Sequence, residues 1–519
     1  MKPAKPSPNP ASSKVEHPKN ARISRLLLGF ICFIAGAAIM VIEISANRLL
    51  APEFGNSLYT WTALIGVILI AFSAGGYLGG VLADKFGRVD LLGWLLAGAA
   101  VLTMVIPFLS IAMASSLAGH GLISGPIFIS LFLFALPGIL LGAVSPASVR
   151  FYSLSDQDHH IGSSAGVISM LGSLGSFVGT FLSGFVLLST FGVKAIFIGT
   201  GVVLLMLALL AFWMARLSPK VQAGTVATAS LAALLGLFSE AKASEDVIFT
   251  SPSFYHHIEV RQPKNDVNRY LHLDSTLEGA MNSKNGDLVL DYQRFWQLAR
   301  LNENLKLNRA LFIGAGAFGM PEQVARTGAA VQVDVVEIDP AVIEVGRRFF
   351  KLDEFPNVRP HSGDARRFLQ HSDQKYDLIF GDAYNGVRHI PAHLITREFF
   401  EQVRSHLTDD GVYLMNIISA VEGDRAMLLG HALGTLRAVF PNVEVFAVGG
   451  SRTESQNVIL LASMKSWKPW LEEQFYAAES WQAHLVNTRV PPAFQPAQLA
   501  ALTDDWNPID AIIARQLLH

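Results

Sequence analysis

The residues with the clearest chemical capacity lie between positions 307 and 384, where glycines and acids recur at intervals that suit a nucleotide-binding β/α unit. The strand-like run Ala310-Leu311-Phe312-Ile313 leads into Gly314-Ala315-Gly316-Ala317-Phe318-Gly319. With no Cβ at Gly314 and Gly316, the backbone can turn tightly and approach a ligand closely. A second strand, Val333-Asp334-Val335-Val336, ends on Glu337-Ile338-Asp339. A carboxylate about 20 residues beyond such a turn can accept both hydroxyls of a ribose. Two further acids follow: Asp364 in Ser362-Gly363-Asp364-Ala365, and Asp382 in Phe380-Gly381-Asp382-Ala383-Tyr384. Each comes after a span long enough for a helix and a strand. Glu337, Asp364 and Asp382 are therefore expected at the carboxyl ends of parallel strands, where open α/β sheets bind ligands.

The half of the chain that precedes this unit is of another kind. Over 519 residues the sequence is 51% hydrophobic with a mean hydropathy of +0.37, too apolar for an ordinary soluble protein. The excess lies in runs near 26–47, 60–82, 91–113, 124–147, 163–187, 192–215 and 222–239, each able to cross a bilayer core of about 30 Å. The last run is rich in alanine, threonine and serine and has the weakest transfer energy, so it is expected as an interfacial or re-entrant helix, with a seventh span as the alternative. Lys2, Lys5, Lys14, Lys19, Arg22 and Arg25 before the first run predict a cytoplasmic amino terminus. Lys85 and Arg88, then Arg150, then Arg216 and Lys220 fall on alternate connections, which places the carboxyl ends of runs two, four and six inside. Six spans leave the following unit in the cytoplasm, where a nucleotide-type ligand is supplied, and seven put it outside. The expectation is a multi-pass protein of the cell (inner) membrane with a cytoplasmic catalytic unit.

Residues 1–22, rich in Pro, Ser, Lys and Asn, read as a disordered tail and not as a cleavable signal, since no short apolar core precedes a small-residue site. The net charge of −2 argues against nucleic acid as a partner. The lone Cys32 excludes an intramolecular disulfide and a cysteine metal cluster, and no metal is expected. Small residues at helical spacing, Gly75, Gly76, Gly79 and Gly80, then Gly172, Gly175 and Gly179, permit close helix contact. Glu43 is an ionisable residue near a membrane boundary, with Arg48 or Asn47 as its natural partner and a functional role as the alternative. The run Gly79-Gly80-Val81-Leu82-Ala83-Asp84-Lys85-Phe86-Gly87-Arg88 resembles the loop between the second and third helices of major facilitator transporters, although a complete transporter of that class has about twice as many spans in paired repeats.

From Ser251 onward, Ser253-Phe254-Tyr255-His256-His257-Ile258-Glu259-Val260 and Arg269-Tyr270-Leu271-His272-Leu273-Asp274 read as short strands of a hairpin, and Asp291-Tyr292-Gln293-Arg294-Phe295-Trp296 opens a helix. In that order, with the glycine turn, Glu337-Ile338-Asp339, Gly363-Asp364, Asp382 and Leu394-Ile395-Thr396-Arg397-Glu398-Phe399-Phe400, residues 250–465 resemble the spermidine synthase family of polyamine aminopropyltransferases, and the fusion to apolar spans resembles its membrane-bound branch. The resemblance implies a helical multi-pass bundle fused to an α/β part, in which a small β-hairpin domain precedes a Rossmann-like nucleoside-binding domain. The expected layout is a tail at 1–22, spans over 23–241, hairpin and linking helix over 246–305, the Rossmann-like domain over 306–470 and a helical extension over 471–519. By the same resemblance the protein acts as a homodimer, Glu337 binds the ribose of decarboxylated S-adenosylmethionine, Asp364 meets its adenine amino group, Asp382 helps deprotonate the attacking amine, and Tyr292 closes the amine site.

Three positions depart from the family. Its glycine-turn Asp, which holds the donor's ammonium, is Ala317; the second acid of its Asp-x-x-Asp loop is Asn385; the hairpin Gln is Glu278. Lost carboxylates weaken a site for ammonium groups, and Ala317 suits the carboxylate of intact S-adenosylmethionine better than an Asp does. The leading expectation is a membrane-anchored transferase of an aminopropyl group from the decarboxylated donor to an amine such as putrescine. The alternatives are an enzyme using S-adenosylmethionine itself, by methyl transfer or by lysis or cyclisation of its aminocarboxypropyl arm, and a non-catalytic nucleoside sensor or transport partner.

Overall fold

The computed structural model describes residues 25–55, 57–117, 121–154, 161–238, 245–274, 276–383, 390–475 and 481–518. The expected tail at 1–22 and Asn385 lie outside these residues. The first half forms α1 (Arg25–Phe54), α2 (Leu58–Phe86), α3 (Asp90–Leu117), α4 (Gly121–Leu154), α5 (Ile161–Leu182, prolonged through a π turn to Thr190), α6 (Val193–Met214) and α7 (Pro219–Leu237). All seven are long and apolar enough to cross a membrane. The segment expected as an interfacial or re-entrant helix is thus a continuous helix of 19 residues, about 28 Å at 1.5 Å per residue. Its Ala229 and Ala232 pack on Met104 of α3, and a Cβ at Gly236 would stand 2.3 Å from the Met104 carbonyl oxygen.

Apolar side chains gain nothing by leaving lipid, so such helices associate where small residues let backbones meet. A Cβ at Gly175 or Gly179 would stand 1.8 or 2.3 Å from the Phe33 or Ala37 carbonyl oxygen, sealing α5 to α1. A Cβ at Gly75 or Gly79 would likewise stand 2.1 or 2.4 Å from the Ile139 or Ala143 carbonyl oxygen of α4. Gly76 and Gly80 face open space, so only half of that run serves the packing. At one end of the bundle the Arg25 guanidinium lies over the Tyr152 ring and Asp84 pairs with Arg150 at 3.3 Å. At the other, Phe54 packs against Gly125.

The second half opens with an antiparallel meander, β1 (Val247–Pro252), β2 (His257–Arg261), β3 (Asn268–Leu273) and β4 (Thr276–Asn282), in sequential order. The chain passes through a 3-10 helix, Asp291–Arg300, into a seven-stranded sheet: β5 (Arg309–Ile313), β6 (Gln332–Glu337), β7 (Val358–Ser362), β8 (Tyr376–Gly381), β9 (Leu407–Ser419), β10 (Asn442–Ala447) and β11 (Gln456–Ser463). The order is β10-β11-β9-β8-β5-β6-β7. Strands β5 to β9 run parallel, β11 is antiparallel to both neighbours, and the order reverses direction between β5 and β8. Crossovers α8 (Gly319–Arg326), α9 (Pro340–Phe349), α10 (Ala365–Gln370), α11 (Arg397–Ser405) and α12 (Met427–Arg437) cover the two faces, as continuous apolar strands such as Ala310–Ile313 require. The chain ends with α13 (Lys468–Phe475), α14 (Trp481–Asn487) and α15 (Ile509–Leu518). Between the last two, after a 3-10 turn at Pro492–Phe494, it crosses α12, Leu499 donating to the Gly430 carbonyl and Leu502 to Thr435 Oγ1.

Candidate active site

The site forms where β5 and β8 diverge, the position at which a doubly wound sheet leaves a crevice beyond its strand ends. Gly314 has φ +91°, and a Cβ there would stand 2.3 Å from the Asp382 carbonyl oxygen. The glycine thus allows the turn after β5 to lie against the end of β8, where the Asp382 N–H donates to the Ile313 carbonyl at 2.8 Å. Gly316, at φ +48°, makes room for β4: a Cβ would be 2.8 Å from the Glu278 carbonyl oxygen. The meander therefore roofs the glycine turn directly.

Glu337 ends β6 with its carboxylate turned back to that loop. Its Oε2 accepts from the Ala315 N–H at 3.0 Å and its Oε1 from the Asp339 N–H at 2.9 Å. A carboxylate oxygen accepts about two hydrogen bonds, so each retains one place, the number that a vicinal diol needs. Burial raises the Glu337 pKa, and the two N–H groups oppose that shift. Asp339 caps α9, its Oδ1 accepting from the Ala341 N–H at 2.9 Å.

Asp382 begins the loop after β8. Its Oδ2 accepts from the Tyr292 hydroxyl at 3.1 Å and its Oδ1 from Asn416 Nδ2 at 2.8 Å, while Asn416 is held by Asn457 at 3.0 Å. Burial pushes the Asp382 carboxyl up to about 7, against the opposing hydrogen bonds of Asn416 and Tyr292. Burial and the nearby carboxylates Asp382 and Glu278 lift Tyr292 well above its usual range, so it stays a hydroxyl donor. The two residues border a cavity of about 350 Å³ that Glu278, Asp291, Asn416, Gln456 and Asn457 also line. Glu278 Oε1 accepts from Thr276 Oγ1 at 2.6 Å. Among the described residues the cavity carries three carboxyl groups and no lysine or arginine.

Tyr292, Gly314, Gly316, Glu337 and Asp382 thus meet around one crevice. Asp364 lies at its margin: Oδ1 caps α10 by accepting from the Arg367 N–H at 2.9 Å, and Oδ2 meets His393 Nε2 at 2.7 Å. Ala317 is 1% exposed, and a Cβ on Gly279 of β4 would stand 2.4 Å from its nitrogen and 2.8 Å from its Cβ. Sequence reasoning overlooked Asn416, Asn457 and Asp291, and saw Glu278 only as a departure. The alternation of β9 and β11 gave no sign of Asn416 and Asn457 as partners, because they meet only when those strands pair. His256 was passed over as a strand residue. Its Nδ1 contacts Asp274 Oδ2 at 3.1 Å; burial would lower its pKa, but Asp274, Asp339 and Glu337 hold it above the usual value.

Residues 298–464 match the Spermine/spermidine synthase domain family, and residues 26–320 match the Major Facilitator Superfamily. A polyamine aminopropyltransferase of Vibrio vulnificus is 36% identical over 172 residues, 33% of this chain and 54% of that protein. An N-terminal histidine N-methyltransferase of Emericella nidulans is 31% identical over 144 residues, 27% of this chain and 24% of that one. The chain thus spans about half, or less, of the length of these relatives. Among solved structures, a probable spermidine synthase from Corynebacterium glutamicum aligns with TM-score 0.39 and 18% identity, covering 50% of this chain and 98% of that one. By the extent of these matches the chain belongs to the Major Facilitator Superfamily through its apolar helices and carries, joined to them, a spermine/spermidine synthase domain.

Proposed function

We propose that the protein is a membrane-anchored aminopropyltransferase that moves an aminopropyl group from decarboxylated S-adenosylmethionine to an amine such as putrescine. The observation that carries this reading is the acidic cavity beside Asp382, which suits a polycationic amine and repels a carboxylate. In the reaction the amine nitrogen forms a bond to the sulfonium-bound carbon, the C–S bond breaks with its electron pair going to sulfur, and a thioether nucleoside leaves. The enzyme must align an uncharged amine and take its proton. Asp382, with a pKa near neutrality, is placed for that, and Tyr292 and Asn416 fix its two oxygens. Glu337 takes the ribose through its two remaining acceptor places, and Asp364 is assigned to the adenine amino group by family resemblance alone, as is assembly into a homodimer. Glu278 offers from β4 the negative charge that Ala317 lacks, which supports the decarboxylated donor over the intact one.

The test is product analysis with the purified full chain given each sulfonium donor with and without putrescine. An aminopropylated amine from the decarboxylated donor is expected; methylated product, or a lactone from the intact donor, overturns the reading. Glu337→Ala should weaken nucleoside binding by roughly 2 to 4 kcal/mol in calorimetry, from two lost charge-assisted hydrogen bonds with partial compensation.

The soluble unit is proposed to face away from the cytoplasm, a placement that requires the sulfonium donor, supplied in the cytoplasm, to reach the other side of the membrane. Support comes from the bundle: Arg25, Arg150 and, by alternation, Lys85, Arg88, Arg216 and Lys220 gather at one end, whereas the Arg48 guanidinium donates to the Ser253 and Tyr255 carbonyls at the other. Cation-rich ends stay inside, and seven crossings reverse the side that six were expected to give.

A further inference from the structure

Arg48 stands 23 positions beyond Arg25 on α1, about 35 Å along the helix axis, and it is one point at which the apolar bundle is bonded to the soluble unit. Its Nη1 and Nη2 donate to the backbone carbonyls of Tyr255 and Ser253, on the turn between β1 and β2. That turn is folded around the Ser253 hydroxyl. The N–H groups of Tyr255 and His256 donate to Ser253 Oγ at 3.0 and 2.8 Å, and the hydroxyl itself bonds Asp339. Asp339 is tied in turn to Glu337, whose Oε1 accepts its N–H. On the other side of the turn His256 meets Asp274, which also accepts from the His257 N–H at 3.0 Å. Burial alone would raise Asp274; the hydrogen bonds of His256 and His257 and the charge of Arg48 bring it below its usual value.

The sequence offers Arg48 as one of two partners for Glu43 within the helix, the other being Asn47. The guanidinium instead leaves the bundle, and its planar fork spans two carbonyls that a lysine could not hold together. We infer that Arg48 is a positioning residue for the nucleoside site: by clamping the Ser253–His256 turn it sets the Ser253 hydroxyl on Asp339 and, through Asp339, the carboxylate that faces the ribose. The inference rests on the proposed nucleoside role of Glu337 and gives the apolar half a part in the reaction beyond anchorage. Arg48 does not line the cavity beside Asp382, so its loss should act on nucleoside binding and leave the amine side alone.

The experiment uses the full chain in lipid nanodiscs, as wild type, Arg48→Gln and Arg48→Lys. Amide hydrogen exchange at Tyr255 and His256 should quicken at least tenfold in Arg48→Gln and by less in Arg48→Lys. The dissociation constant of 5′-methylthioadenosine, the thioether nucleoside used as probe, should rise about tenfold, with donor KM following it while amine KM and kcat hold. Unchanged exchange at both amides overturns the clamp, and equal losses on donor and amine sides assign Arg48 to general stability. Should Arg48→Gln fail to fold, the intermediate position of Arg48→Lys between wild type and no binding carries the comparison, and wild-type behaviour of Arg48→Lys on all counts refutes the two-carbonyl fork. A wild-type chain that binds no nucleoside removes the proposed function, while the exchange rates still decide the clamp.

Discussion

Asp382 is held by two neutral donors, Tyr292 and Asn416, and these do not offset what burial takes from its ionised form, so its carboxyl titrates at about 7. Only the ionised form accepts the amine proton. The rate should therefore climb as pH rises through about 7 and level off above it. Asp382→Asn should remove that limb and cost roughly 10² to 10⁴ in kcat, the usual contribution of a positioned base; a variant that keeps the limb shows that another group titrates. Beside it, Glu278→Gln should raise the KM for the decarboxylated donor by about tenfold, a loss of about 1.4 kcal/mol from an exchanged charge-assisted bond. Ala317→Asp is expected to do little for either donor, since Ala317 is covered by Gly279. A changed donor ratio would show instead that residue 317 faces the donor's tail. Glu337 and Asp382 were legible because a glycine turn and strand-length spacing marked them. The placement of Asn416 and of Glu278 was not, since they come from β9 and β4 and border the cavity only once those strands are folded beside Asp382.

At the level of elements, the glycine turn couples three strands. Gly314→Ala would force a Cβ into the Asp382 carbonyl at an unfavourable φ of +91°, and should cost the soluble unit about 1 to 3 kcal/mol or more, read as a lowered melting temperature, together with loss of activity. A second prediction concerns α8. Both carboxylate oxygens of Glu322 are buried with no hydrogen-bond partner among the described residues, and burial lifts the group from 4.5 to about 9. Between those values the folded carboxyl keeps its proton while the unfolded one has lost it. Stability then falls as pH rises, by roughly 1.4 kcal/mol per unit, and levels off above about 9. Glu322→Gln should remove the slope, so its melting-temperature gain should widen from pH 5 toward 9; a constant gain would mean that Glu322 ionises normally. The alternating strands, the parallel sheet and the first six helices were readable from periodicity. The meander's full four strands were not, since β1 and β4 have weak alternation; for α7 the helix was readable but its length and packing were not, because it derives its place from Gly236 and two alanines against α3, a packing that transfer energy does not register.

For the whole molecule the decisive prediction is which side of the membrane holds the soluble unit. In a Cys32→Ser background, single cysteines at exposed Leu277 and Val331 should react with a membrane-impermeant maleimide in intact cells, and one at Lys85 should not. The reverse pattern returns the unit to the cytoplasm. The cations that argue for this orientation all stand in the sequence, and the parity of the crossings turns on one alanine-rich helix.

The seams between α1 and α5 and between α2 and α4 have a further consequence, in tolerance to variation. Where a bare backbone carbonyl occupies the space of a missing Cβ, no side chain is small enough except hydrogen. Saturation mutagenesis of the apolar half should thus leave a sparse imprint: Gly36, Gly75, Gly79, Gly142, Gly175 and Gly179 refuse every replacement, while Gly76, Gly80, Gly162 and Gly166, equal to them in composition and neighbours in sequence, accept most. Such a record would locate the two seams from survival frequencies alone.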